Sequence, residues 1–327
     1  MTNYRDAKYT FPTVTFSGVA ESSPVEGNIW YDSGKYYFGT SQSFIGSWSS
    51  GGNISTGRYQ LAGCGTQSAG LCMGGVQSGP SYSNVTEEYN GTSWGGGGNL
   101  ATARPALAGA GTQSAGLCMG GNVLGVYQNV TEEYNGSAWS SGGNLGTARS
   151  GLAGAGTQSA GLCMGGTDGS DSDVTEEYDG TSWSSGGTLG TARSWVAGCG
   201  TQSAGLCMGG NDGSVSDVTE EYDGTSWAAG GSLGTASSAL SGAGTQSAGL
   251  CMGGSSPRTA TELYDGTSWT AGGDLITGRA YMGSGGTQSA GLCMGGYTDA
   301  DYYRTDTEEY ATSTGSYDEL FTPSQGL

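Results

Sequence analysis

Arginine recurs at one position of a repeat, as Arg58, Arg104, Arg149, Arg193 and Arg279, with Ser237 standing there in the remaining unit. Carboxylates recur at another position, as Glu87, Glu132, Glu176 and Glu220. Two chemistries are open to such a set. The guanidinium groups can form a ring that binds an anion, or each can pair with a carboxylate and hold the chain together. A catalytic or binding site draws different residues from different repeats, so recurrence in nearly every unit favours structural ion pairs. The opposite pattern, variation at a fixed place, occurs just after each arginine region, where Gln60, Ala106, Gly151, Trp195, Ala239 and Tyr281 are equivalent. The loops that vary in length carry Tyr82, Tyr127, Tyr297, Tyr302, Tyr303, Arg258 and Arg304. Exposed aromatics on a rigid scaffold suit recognition of a glycan or a protein, and the alternative is that surface loops drift freely.

The chain contains no histidine, which removes Ser-His-Asp and Cys-His catalysis and every His-ligated metal site. Its formal net charge is −19, so it lacks the basic footprint for nucleic acid or an anionic membrane surface. Six of the eight cysteines are one repeated position: Cys72, Cys118, Cys163, Cys207, Cys251 and Cys293. Equivalent positions in a ring lie too far apart to pair. Cys64 and Cys199 precede Cys72 and Cys207 by eight residues, so each couple is either a disulfide across a hairpin or two buried thiols; the start of the chain shows no signal-peptide pattern, which favours thiols. The loop Thr167-Asp-Gly-Ser-Asp-Ser-Asp173 is the best calcium candidate, but it lacks the closing bidentate glutamate, and ordinary turn chemistry accounts for it. No metal or cofactor is expected.

What positions these residues is a repeat. The segment GTQSAGLCMGG occurs six times unchanged, from Gly65, Gly111, Gly156, Gly200, Gly244 and Gly286, at intervals of 46, 45, 44, 44 and 42 residues. A period in this range fits four short strands per unit, one blade of a propeller. Glycine supplies 67 of the 327 residues, yet 19 Tyr, 8 Trp and 5 Phe argue against disorder. No apolar run reaches the length of a membrane span. The four strands are expected in stretches like Leu107–Ala110, Ala115–Met119 and Val130–Tyr134, and around Trp139. Turns fall at Thr-Gln-Ser and at Asn/Asp-Gly. Length varies only between the Gly-Gly pair and the tyrosine of the next TEEY segment, so one loop per unit is free while the other connections are fixed. Small residues in the first strand suit innermost strands that crowd an axis. The sixth unit lacks its tryptophan, while Trp48 has no TEEY segment before it. Residues near 44–49 are therefore expected to supply the outer strand of the last unit, closing the ring.

A Gly-Gly doublet after an apolar strand, then a tyrosine, then a tryptophan at short fixed spacing, resembles the Kelch repeat over about residues 43–316. The absent histidine and Trp-Asp dipeptide separate the chain from WD40 repeats. Near-identical Gly/Ser/Thr-rich units, preceded by Pro24-Val-Glu-Gly-Asn-Ile-Trp-Tyr-Asp-Ser33 and Gly34-Lys-Tyr-Tyr37, are also similar to Kelch-like virion proteins of tailed phages. The expected fold is thus all-β: a six-bladed Kelch-like propeller over 43–317, a β-rich virion-docking segment over 1–42 and a tail over 318–327. The resemblance implies a non-enzymatic virion protein, tail-associated or decorating the capsid, assembled in the host cytoplasm and then exposed. Its partners would be other virion proteins, further copies of itself, and a host-surface glycan or protein, without nucleic acid or membrane insertion. The alternatives are a glycan-processing enzyme of sialidase type and a purely structural decoration protein.

Overall fold

The computed structural model describes residues 29–32, 35–38, 46–79, 81–256, 258–312 and 318–321. It is all-β and propeller-like, with no helix among the described residues. Two compact units are present, Ile45–Thr312 and a second made of Met1–Phe44 with Ser313–Leu327. In the second, Ile29–Asp32, Lys35–Phe38 and Asp318–Phe321 form one antiparallel sheet, so residues read from sequence as a C-terminal tail include a paired strand. Most of the expected docking segment lies outside the described residues.

The larger unit holds six four-stranded antiparallel sheets. Sheet 2 is representative, with Ala108–Thr112 innermost, then Ala115–Met119, Thr131–Tyr134 and Trp139–Ser141. Sheets 1, 3, 4 and 5 repeat it, beginning with Ala62–Thr66, Ala153–Thr157, Ala197–Thr201 and Ser241–Thr245. Sheet 6 starts with Gly283–Thr287 and takes its fourth strand, Ser47–Ser50, from far upstream, with Trp48 opposite Tyr310.

Each core lies between two successive sheets. Ala108, Ala110, Leu117 and Met119 of sheet 2 pack against Cys163 and Tyr178 of sheet 3, with Leu145 and Leu152 from the connection. Leu292 and Met294 of sheet 6 pack in the same way on Cys72 and Tyr89 of sheet 1. The second strand is therefore buried on both faces, which explains why Leu117, Cys118 and Met119 form an apolar run without alternation. Burying each such Leu or Met side chain is worth roughly 1.5–3 kcal/mol. At these glycines the innermost strands approach too closely for a side chain: a Cβ at Gly154 would lie 2.6 Å from the carbonyl oxygen of Gly109, and one at Gly109 2.8 Å from that of Gly63.

Polar groups join the sheets as well. The indole of Trp139 donates to Thr86 Oγ1 of the preceding sheet at 2.9 Å, and Tyr134 donates to Glu88 at 2.5 Å. Gln113, in the turn read only as a turn, donates to the carbonyls of Gly70 and Tyr89 at 3.0 and 2.7 Å, again in the preceding sheet. This inter-sheet bond recurs from Gln67, Gln158, Gln202, Gln246 and Gln288, which gives the unvarying Thr-Gln-Ser turns a mechanical role.

Candidate functional site

The arginines are not available to an external anion. Arg58, Arg104, Arg149, Arg193 and Arg279 are fully buried, and the first four pair with Glu87, Glu132, Glu176 and Glu220 at 2.7, 2.6, 2.9 and 2.7 Å. Arg279 pairs with Glu308 and Asp306. Each guanidinium sits in the connection that enters a sheet and clamps it onto that sheet's third strand. The cysteines beside them are thiols. Gly63 stands opposite Cys72 and Cys64 opposite Leu71, and likewise Gly198 opposite Cys207, so the disulfide alternative fails on register. Burial pushes the thiols of Cys72, Cys118, Cys163 and Cys207 up to about 11, and those of Cys64, Cys199 and Cys293 up to about 12. Since the thiolate is the nucleophile, iodoacetamide at pH 8 is expected to leave the native chain unlabelled. Intact mass should then show eight additions once it is unfolded in denaturant. Rapid native labelling would contradict this packing.

The position that varies between units has a shared backbone. Gln60, Ala106, Gly151, Trp195, Ala239 and Tyr281 all have φ between +53° and +60°. Their N–H groups donate in turn to one another's carbonyls at 2.7 to 2.9 Å, Ala106 to Gln60, Gly151 to Ala106, and so on until Gln60 donates to Tyr281. The six bonds make a closed circle at one mouth of a channel of about 200 Å³ that runs between the innermost strands. For the non-glycine members this left-handed backbone costs of order 1–3 kcal/mol each, and such strain persists only where the surroundings over-determine it. The circle of hydrogen bonds supplies that constraint.

Aromatic rings gather around this mouth. Trp195 meets Tyr281 edge to face at 5.0 Å between ring centres, and Tyr281 lies 6.4 Å from Tyr59. Tyr59 in turn lies 5.8 Å from Tyr303 and 6.4 Å from Tyr297, and Tyr297 lies 4.9 Å from Tyr302. Six rings from sheets 1, 4 and 6 thus form one cluster. Tyr302 is 57% exposed and the others are half-buried. Tyr82 extends the group, in register with Val76 and Tyr59 across a small sheet of Arg58–Tyr59, Val76–Gln77 and Ser81–Tyr82. Burial, reinforced by neighbouring tyrosines, raises the Tyr59 hydroxyl above its ordinary value, and burial alone raises Tyr281, so both remain neutral hydrogen-bond donors.

Not every expected residue joins. Tyr127 is on a separate hairpin, Asn122–Val123 with Val126–Tyr127, and makes no ring contact with the cluster among the described residues; that hairpin's tip exposes Leu124 and Val126. Arg304 is held by Asp306 at 2.7 Å, with Asp301 at 3.9 Å. In the loop 167–173, Asp168 accepts from Ser170 within its own turn. Tyr59, the hub of the cluster, escapes sequence reasoning because the equivalent residues are Pro105, Ser150, Ser194, Ser238 and Ala280 and the arginine beside it draws attention first. The signal present was an unmatched aromatic next to a variable position. The arrangement is a platform of neutral rings and hydroxyls. It can stack on apolar faces and donate hydrogen bonds. Comparison with known proteins finds no family whose profile matches the chain and no matching curated relative.

Proposed function

We propose that the chain is a non-enzymatic recognition protein of a phage particle. On this reading Ile45–Thr312 is a six-bladed Kelch-like propeller whose last blade borrows Ser47–Ser50 as its outer strand, and residues 1–42 dock it to other virion proteins. The face around Trp195, Tyr281, Tyr59 and Tyr302 contacts a host-surface glycan or protein. The observation that carries the recognition role is the convergence of six aromatic rings, from three separate repeats, on one mouth of the channel. A repeat scaffold needs no such rings to fold, since equivalent positions hold Ala106, Gly151 and Ala239. Rigid aromatic anchors are what binding surfaces use for area at low entropic cost. The net charge of −19 opposes a polyanionic ligand and favours a neutral one. The phage assignment rests on the texture of the repeats and the N-terminal segment. Its test is competition: the purified chain should slow adsorption of the virions that carry it to their host cells. Absence of the chain from purified virions, with no effect on adsorption, would overturn the assignment.

A further inference from the structure

The repeat builds one acceptor-lined pocket per sheet and fills it with its own arginine in all but one. In sheet 1 the Arg58 guanidinium donates to the carbonyls of Gly74 and Val85 at 3.0 and 2.7 Å, to Cys72 Sγ at 3.2 Å and to Glu87 at 2.7 Å. Arg193 repeats the pattern in sheet 4 with Gly209, Val218, Cys207 and Glu220. In sheet 5 the arginine is replaced by Ser237, but the acceptors are kept: the carbonyls of Gly253 and Ala260, Cys251 opposite Glu262 in the register, and the Glu262 carboxylate.

These groups line a cavity of about 10 Å³ together with Ser237, Leu233, Thr235 and Arg258. That is room for one water-sized occupant. Ser237 is 4% exposed and its hydroxyl has no hydrogen-bond partner among the described residues. Glu262 accepts from the Gly234 N–H at 2.7 Å, and none of the ion pairs among the described residues includes Glu262 or Arg258. Burial and the Glu262 charge raise the Cys251 thiol, so it keeps its proton and adds no second negative charge. The cavity therefore offers oxygen and sulfur acceptors, one carboxylate charge and an unpartnered hydroxyl, where five sister sheets place a cation.

We propose that this cavity binds a small monovalent cation of the size of sodium, potassium or ammonium. One carboxylate with neutral oxygens matches a single charge. Divalent ions are disfavoured, because a single carboxylate leaves one of their charges uncompensated and magnesium retains waters for which the cavity lacks space. Binding to the folded state alone raises stability by mass action.

The test is the thermal midpoint of the full chain in sodium, potassium or ammonium chloride against N-methylglucamine chloride at equal ionic strength. At least one small cation should raise the midpoint by roughly 2 °C over the bulky one. The rise should vanish in Glu262→Gln and in Ser237→Arg, the latter restoring the occupant of the other sheets; if Ser237→Arg does not fold, Glu262→Gln decides. No cation dependence in the parent chain, or dependence that survives Glu262→Gln, would overturn the proposal. Loss of the dependence in Arg258→Ala with Glu262 intact would overturn it too, by showing that Arg258 mediates the effect.

Discussion

Arg149→Ala is expected to cost about 3–5 kcal/mol of folding stability, the range for breaking a buried ion pair by removing one partner. The Arg149 guanidinium is fully buried and donates to the carbonyls of Gly165 and Val174 at 2.5 and 2.7 Å, to Cys163 Sγ at 3.3 Å and to Glu176 at 2.9 Å. Truncation leaves Glu176, 4% exposed, charged and held only by the N–H groups of Gly146 and Thr147. The Gly165 carbonyl loses its side-chain donor at the same time, and the Val174 carbonyl keeps only the Gly165 N–H. Arg149→Lys should recover only part of the loss, because an ammonium lacks the planar fork that reaches four acceptors. Tyr127→Ala, on the separate hairpin, should stay within about 0.5 kcal/mol. Urea unfolding of the three variants measures the comparison, and similar small losses for Arg149→Ala and Tyr127→Ala would show that the pairs are not structural.

The pairing of these arginines with carboxylates was legible because a repeat states its own rule: the same ion pair is written five times, and the exception at Ser237 is visible as an exception. The four strands per unit were legible for the same reason, with boundaries off by one or two residues, as at Ala108–Thr112. The upstream origin of the outer strand of sheet 6 could be read from an unmatched tryptophan, Trp48. Other features depend on which sheet lies beside which, and a one-dimensional repeat carries no such information. Gln113 reaches back to Gly70 and Tyr89, and the second glutamate of each TEEY segment, such as Glu88, accepts from the tyrosine of the next sheet. The circle of left-handed residues is of this kind too. Each member follows an arginine region in sequence, but only the converging backbones reveal that Gln60 bonds to Tyr281. Tyr59 became part of the candidate site by position in space, through its approach to Tyr281, Tyr297 and Tyr303.

Trp195 is the residue at which recognition by the aromatic face is tested with least disturbance. Alanine already occupies the equivalent left-handed position at Ala106 and Ala239, so Trp195→Ala keeps the backbone circle and removes only the ring. The opposite ends of the strands supply the control, where the Thr-Gln-Ser turn and the Asn-Gly turn meet, Ser114 lying beside Gly136. Loss of an aromatic anchor at a binding centre costs at least about 2 kcal/mol, roughly a thirtyfold loss of affinity. The measurement is binding of the purified chain to host cells, for the parent, Trp195→Ala, the Tyr302→Ala/Tyr303→Ala double variant and Ser114→Ala. A loss of thirtyfold or more is expected for the first two variants, with Ser114→Ala unchanged. Binding that survives both aromatic variants and is lost on Ser114→Ala would place recognition on the other face and contradict it.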